Sequence, residues 1–454
     1  MKRVLVANRG EIAIRIVRAA RDLGIESVAV HSTADAAAPH VRLADAALEI
    51  GPPPAGKSYL SIPALLDAAR ESGAEAVHPG YGFLSERADF AAACEQAGLA
   101  FVGPASGHIE LMGDKARARE AARDAGVPTI PGSAGAVADA VEAAAVAGDI
   151  GYPVALKAAG GGGGRGIRIA ADEVELRAGY AVASREASGA FDDGRIYLER
   201  FVSPARHVEV QVLGDGERTI HLHERECSLQ RRRQKVVEES PAPRLADATR
   251  GGLHEAAIAL CDEIGYRSAG TVEFLVDAAS DEFFFIEMNT RIQVEHPVTE
   301  AITGVDLIAE QLRIAGGEPL ALRQEDVAPR GCAIELRINA EDPANNIMPS
   351  PGPLDRVVLP AGPWVRVDTW MEPGGEVPPF YDSLLGKLIV WGPDRGSALA
   401  RARRALRELE VEGVKTTKAL LATLLDEDWF AEGEFNTGTL EAWLEETTKE
   451  SAGG

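Results

Sequence analysis

The 454-residue chain predicts a multidomain α/β fold. Three features carry that expectation. Short apolar strands alternate with amphipathic helices through the first hundred residues, the pattern of βαβ units. Five consecutive glycines lie between two apolar strands. Near residue 283 a strand passes from a fully apolar run into closely spaced charges and amides. A chain of this length divides into about three domains.

The first element is an apolar strand at residues 4–7. A helix over 11–23 follows, with Ile12, Ile16, Ala19 and Leu23 on one face, and Gly24 stops it. Residues 27–31 form the next strand. The turn between strand and helix holds only Gly10, which is short of a dinucleotide fingerprint. Residues 62–72 and 90–98 read as helices, 76–78 and 101–102 as strands. The turn-rich loop 78–86 lies at a strand's C-terminal end, where α/β sheets usually place sites. Residues 115–125 are helical, and an Ala-rich helix over 136–147 opens a small second domain. Its centre is a strand at 152–157, ending in Lys157, then Gly160 to Gly164, then a strand at 167–169. Glycines let backbone N–H groups approach an anion closely. Lys157 beside them favours a phosphate-covering lid over a plain linker. The strand 196–202 carries Glu199, and Ser203-Pro204 reads as a hinge.

Residues 207–213, HVEVQVL, alternate cleanly, so His207, Glu209 and Gln211 share a face. The partner strand carries His221 and His223. A zinc site needs a third or fourth ligand; the sequence offers none, so both read as sheet-surface histidines. The run 230–235, QRRRQK, is the one dense basic stretch in an acidic chain. It reads as a local pocket for phosphate or bicarbonate. Further helices are expected at 253–264, 397–409 and 418–425, strands at 331–339, 364–370 and 387–391, and a polar tail at the end.

The stretch 283–297, FFFIEMNTRIQVEHP, is the most informative. Glu287, Asn289, Arg291, Gln293 and Glu295 occupy every second position, so an extended chain would point all five one way. The preceding strand, 271–277, would pair with it through a loop at 278–282. Closing Asp277 against Phe283 sets Glu273 opposite Glu287. Like charges facing each other on a sheet are destabilising, and a bound cation reverses that. Glu273, Glu287 and Asn289 offer oxygen donors, the hard set suited to Mg²⁺ or Mn²⁺.

Composition narrows the function. Lys and Arg number 47 against 70 Asp and Glu, a formal charge of −23. That argues against general affinity for nucleic acid or an anionic membrane. Cys94, Cys227, Cys261 and Cys332 are scattered, as reduced cytoplasmic thiols are. No stretch reaches the ~20 apolar residues of a membrane span.

The ordered motifs ANRGEIA, HPGYGFLSE, KAAGGGGGRG, RHVEVQV, QRRRQKVVEE, EMNTRIQVEHPVTE, ELRINAEDP and YDSLLGKLIVWG together resemble the biotin carboxylase family over nearly the whole chain. The resemblance implies an ATP-grasp fold: a Rossmann-like N-terminal domain over 1–114, linker helices and a B-domain lid over 115–203, and a C-terminal α+β domain over 204–454. It implies ATP contacts at Lys115, Lys157, Gly163, Gly164, Glu199, Arg200, Phe201, Val202, His207, Arg233, Glu273 and Glu287. Metal ligands fall on Glu273, Glu287 and Asn289, in agreement with the hairpin argument. Bicarbonate falls to Lys235, Arg291, Gln293 and Val294, with Glu295 as general base and Arg337 facing the biotin ureido oxygen. Arg233 stands where a histidine is common in the family, and Arg200 where a lysine is common; both keep positive charge.

The reaction implied is ATP-dependent carboxylation of biotin with bicarbonate through carboxyphosphate, the first half-reaction of acetyl-CoA or acyl-CoA carboxylase in fatty acid synthesis. The implied cofactors are ATP and Mg²⁺ or Mn²⁺, with biotin as a carrier-bound substrate. The implied partners are a biotin carboxyl carrier protein, carboxyltransferase subunits and a second copy of the chain. The carrier is expected on a separate polypeptide, because no lysine here is flanked by methionines and ten residues follow Leu444. The competing expectations are another ATP-grasp ligase and a catalytically silent carrier-binding subunit.

Overall fold

The computed structural model describes residues 1–158, 167–191 and 194–453. The predicted lid glycines, Gly163 and Gly164 among them, lie outside the described residues. By their internal contacts the residues form two units: 1–127, 206–274 and 287–454 in the first, 128–205 and 275–286 in the second.

In the first unit, strands β1 (Arg3–Val6), β2 (Glu26–Ser32), β3 (Ala46–Gly51), β4 (Ala76–His78) and β5 (Ala100–Phe101) make a parallel sheet in the order β3-β2-β1-β4-β5. The helix Gly10–Asp22 packs Ile12, Ile16, Ala19 and Ala20 into the core, as its spacing predicts. Strand order reverses between β1 and β4, the place where such sheets bind ligands. Asn8 pins the two strand ends together: its Nδ2 donates to the carbonyls of Pro79 and Tyr81, both at 2.7 Å. Gly80, between them, has φ +61°, and a Cβ there would stand 3.0 Å from Asn8 Nδ2 and 3.1 Å from Ile12.

In the second unit, β6 (Val154–Ala158), β7 (Ile167–Ala170) and β8 (Ile196–Arg200) form an antiparallel sheet in the order β7-β6-β8. Two helices cover it with an apolar core of Ala143, Ala147, Leu156, Leu176 and Leu198. The Ala-rich helix starts at Ala140 rather than 136, because Asp139 caps it by accepting from the N–H groups of Val141 and Glu142. The long helix Glu173–Phe191 was not anticipated, since its exposed face is broken by small residues.

The largest sheet has eight strands. It runs from β13 (Phe283–Asn289) through β12 (Arg267–Asp277), β9 (Ala205–Asp215), β10 (Thr219–Arg231), β11 (Gln234–Ser240) and β14 (Cys332–Asn339) to Leu384–Gly392 and Val365–Thr369. The predicted β12–β13 hairpin is present, closed by the Asp277 N–H on the Glu282 carbonyl at 2.8 Å. The basic run 230–235 is the β10–β11 turn, with Arg232 and Arg233 both at positive φ. The chain's last stretch does not fade into polar coil. It forms the helix Thr439–Gly453, which buries Leu440 and Trp443 in the core under β14. The alternation of small and charged residues there hid two anchoring side chains.

Gly80→Ala is expected to lower stability by more than about 1 kcal/mol, since it adds both backbone strain and a clash. Thermal unfolding measures it; an unchanged midpoint would mean the loop is not held by Asn8.

Candidate functional site

Alternation along β9 carries the first part of the site. His207, Glu209 and Gln211 do share a face, and all three are drawn into one buried network. Its centre is Lys235, just past the exposed turn, with its side chain 13% exposed. The Lys235 Nζ donates to Glu209 Oε2 and Glu295 Oε1 at 2.5 Å each, and lies 3.4 Å from Glu273 and Gln293. Arg337 on β14 reaches the other oxygen of Glu295 at 3.0 Å and donates through Nε to Glu238 at 2.6 Å. His207 Nε2 is 2.9 Å from Glu273 Oε2. Asn289 and Gln293 donate to Glu273 at 2.6 and 2.8 Å.

The polar series beyond β13 is brought together by a different backbone from the one its spacing predicts. The strand ends at Asn289; residues 290–295 form an irregular turn, and a helix starts at His296. A continuous extended chain would have carried Glu295 away from Lys235. The turn folds it back. Arg291 is oriented by Glu86, which accepts from its Nε at 2.9 Å, and it donates to Asn289 Oδ1 at 3.0 Å. The loop 78–86, whose role the spacing left open, thus positions Arg291. The Val294 carbonyl accepts from the fully buried Lys387 at 2.8 Å.

Electrostatics follow from this packing. Burial alone would push Glu295 up, but Lys235, Arg337 and Arg225 outweigh it and hold the carboxylate well below its usual range. Glu273 is lowered in the same way, against its burial, by Lys235 and His207. His207 is raised, its carboxylate neighbours overcoming burial. Glu238 has too little compensation: burial pushes it up to about 7 despite Arg337.

Glu287 tests the metal expectation. Burial and then the charge of Glu273 push it up, against Lys115, 3.8 Å away, and His207. Two repelling carboxylates with an amide oxygen beside them form a donor set that suits a hard divalent ion. Arg233, by contrast, is exposed on its turn. A cavity of about 430 Å³ opens beside Lys235 and Arg337, walled by Met348, Tyr381 and Ser383.

In the second unit, Lys157 forms an ion pair with Glu199 across β6 and β8. Arg200 pairs with Glu282 at 3.2 Å and lies over the Phe284 ring at 4.8 Å. The Phe201 N–H donates to the Pro153 carbonyl at 2.8 Å, and Val202 packs on Phe284 and Ala205.

The profile of the curated biotin carboxylase N-terminal domain matches residues 1–109, that of the carbamoyl-phosphate synthase L chain ATP-binding domain 114–323, and that of the biotin carboxylase C-terminal domain 335–442. Biotin carboxylase 1 of Bacillus subtilis is 50% identical over 98% of this chain and 99% of its own. The Pseudomonas aeruginosa biotin carboxylase is 54% identical over the same shares. The chain belongs to the biotin carboxylase family. Among solved structures, the biotin carboxylase domain of a thermophilic 2-oxoglutarate carboxylase bound to bicarbonate superposes with TM-score 0.93 at 48% identity, covering 97% of this chain and 98% of that one. The Hydrogenobacter thermophilus domain dimer with MgADP and bicarbonate superposes at 0.89 and 50%, covering 97% of each. The fold is therefore ATP-grasp, with biotin carboxylase domains on either side, and the flanking domains separate this chain from the carbamoyl-phosphate-forming ligases.

Several residues of the candidate site escaped sequence reading. Arg225, fully buried, donates to Glu209 and Gln211 at 2.7 Å each and to Thr299 at 3.0 Å. Glu238 and Lys387 were missed as well; Lys387 stands in an otherwise apolar strand, whereas Glu238 lies among polar neighbours on β11. The signal was there: a charge inside an apolar strand needs a buried partner. His221 and His223 are not simple sheet-surface histidines either. His254, from the helix Asp247–Ile264, stands beside both; it is thirty residues away in sequence, which is why spacing did not reveal it.

Glu335 yields a pH prediction. It is buried, neither oxygen has a hydrogen-bond partner, and desolvation raises its pKa well above normal. The folded state then holds a proton that the unfolded chain releases near its ordinary pKa of about 4.3, so this group lowers stability as pH rises from there. Glu335→Gln should melt above the parent at about pH 8, with the gap closing toward about pH 5. A gap independent of pH would show that Glu335 is paired.

Proposed function

We propose that this chain carries out the ATP-dependent carboxylation of biotin with bicarbonate, releasing ADP and phosphate, with each step assigned to residues named above. Family membership supports the reaction itself. The observation that carries the residue roles is Glu295 held between Lys235 and Arg337.

Bicarbonate is a poor electrophile, and phosphorylation by ATP makes it carboxyphosphate, a mixed anhydride. Lys235, Arg291, Gln293 and the Val294 backbone hold the anion. Glu295 takes its proton. The flanking cations keep Glu295 ionised, and an arriving anion shares those cations, which raises its basicity toward that of its substrate. Glu273, Glu287 and Asn289 hold magnesium, which when bound neutralises the triphosphate during phosphoryl transfer. Lys115 and His207 contact ATP in this reading, and the family resemblance assigns ATP roles to Lys157, Glu199, Arg200, Phe201, Val202, Arg233, Gly163 and Gly164 as well. Carboxyphosphate breaks down to CO₂ and phosphate; the phosphate takes the proton of the biotin ureido nitrogen, which bonds to CO₂, while Arg337, permanently charged, stabilises the ureido oxygen. Biotin enters by the cavity beside Arg337.

The domain limits assigned with this reading are 1–114, 115–203 and 204–454. The biotin is carried by a separate carrier protein and passed to carboxyltransferase subunits, in an acetyl-CoA or other acyl-CoA carboxylase serving fatty acid synthesis. The chain works in the cytoplasm as a homodimer, like the dimeric Hydrogenobacter domain. Among the described residues no helix is long and apolar enough to cross a membrane.

The test is ADP release, which should require bicarbonate and rise with free biotin. ADP release independent of biotin would favour another ATP-grasp ligase. Glu295→Gln should lose about 10² to 10⁴ of the bicarbonate-dependent rate while nucleotide binding by calorimetry stays near the parent's. A variant turning over at the parental rate would remove Glu295 from the role of base.

A further inference from the structure

Strand β10 leaves regular pairing with β9 between His221 and Glu224. His223, in this bulge, has φ +66°. A left-handed backbone at a residue other than glycine is costly and is kept where surroundings or function demand it. The distortion sets His221 and His223 against the helix Asp247–Ile264, which contributes the buried His254. The His221 ring stacks on His254 at 4.0 Å between centroids, and His223 stands 5.3 Å from His254, nearly edge-on. One ring nitrogen from each of the three falls within 4.8 Å of the others.

Two further details point to a ligand. The Nε2 of His223 is buried with no hydrogen-bond partner, which costs free energy unless something fills its lone pair. The Nε2 of His254 is 2.8 Å from Glu224 Oε2, and Glu224 also accepts from Arg250 Nε at 2.8 Å. A carboxylate on one imidazole nitrogen, fixing the ring and leaving the other nitrogen free, is the arrangement that supports metal-binding histidines. We propose that His221, His223 and His254 form a binding site for one borderline divalent transition ion, zinc above all, with Glu224 as the residue that positions His254.

The site is chemically separate from the magnesium ligands. Those are oxygens and suit a hard ion, whereas three imidazoles suit zinc, and a water would complete a tetrahedron. Zinc–nitrogen bonds are about 2.0–2.1 Å, and the three ring nitrogens, within 4.8 Å of one another, would close in around a bound ion. A bound ion would tie the helix to the bulge of β10. The next residue on that strand is Arg225, which holds Glu209 beneath Lys235, so the ion would brace the strand that supports the candidate active site.

The test uses the full chain, stripped with chelator and titrated with Zn²⁺ by calorimetry, with unfolding temperature followed in parallel. One ion per chain is expected at this site, with a raised unfolding temperature. His223→Gln and His221→Asn should each abolish that binding event, and Glu224→Gln should weaken it about 10- to 100-fold. Zinc-edge X-ray absorption on the unaltered chain gives a readout that does not depend on any variant folding: three imidazole nitrogens are expected and no sulfur. Sulfur in the shell would place the ion at the Glu209, Cys227 and Glu295 group instead. That result, a carboxylate-dominated shell, the absence of any binding, or undiminished binding in folded histidine variants would each overturn the proposal.

Discussion

Everything at the candidate site depends on keeping charge balanced where water cannot reach. Lys235, Arg225 and Arg337 face Glu209, Glu238, Glu273 and Glu295, all of them buried or nearly so. Removing one partner from such a network typically costs about 3–5 kcal/mol, because the charge left behind is stranded. The set is one negative charge in excess. His207 takes up part of the imbalance by holding its proton, and Glu238 takes up another part by titrating near neutrality. Glu287, pushed up by burial and by the charge of Glu273, is the carboxylate with most to gain from a divalent cation.

The same balance explains how a weak base can serve. A carboxylate between two cations binds a proton poorly, which keeps Glu295 ionised and also limits its reach as a base. In the proposed reaction, bicarbonate at Lys235 and Arg291 would draw on the same cations, and Arg337 would serve the ureido oxygen of biotin. The proposed roles would then link proton removal to occupancy, with Glu295 gaining basicity when the anion is present.

Much of this was legible in the sequence, and the limits are instructive. Alternation in HVEVQV placed His207, Glu209 and Gln211 on one face because a strand's period is two whatever surrounds it. The hairpin followed from an apolar run and a turn. Spacing failed where the backbone stopped being periodic. Residues 290–295 form a turn, so Glu295 reached Lys235 by a path that alternation could not describe. Arg225, Lys387 and Glu86 act on partners distant in the chain, and no local pattern encodes such pairings. His254 is the same case: its helix and the bulged strand are each readable, but their meeting is not. The family resemblance supplied residue roles that spacing left open, such as Arg337.

The sheet itself carries the cost of the site. Register sets Glu238 opposite Glu335 and Arg337 opposite Lys387 on neighbouring strands. Both are like-charge pairs, which on an ordinary sheet are destabilising. They share one face, while Val237, Leu336 and Leu388 line the other and fill the apolar core. The repulsion is relieved diagonally and from outside the sheet: Arg337 binds Glu238, and Lys387 reaches Glu11 at 3.1 Å and the Val294 carbonyl. At Glu335, which has no hydrogen-bond partner among the described residues, burial outweighs Lys387 and Arg337 and raises the pKa well above its usual range. A sheet selected for stability alone would put apolar or oppositely charged residues at these positions. Here the apolar face holds the strands in place, so the other face can bear charges aimed at Glu295 and Val294. Lys387 joins the N-terminal helix, through Glu11, to the turn that presents Glu295, so the parallel domain and the catalytic turn are aligned by one buried ammonium.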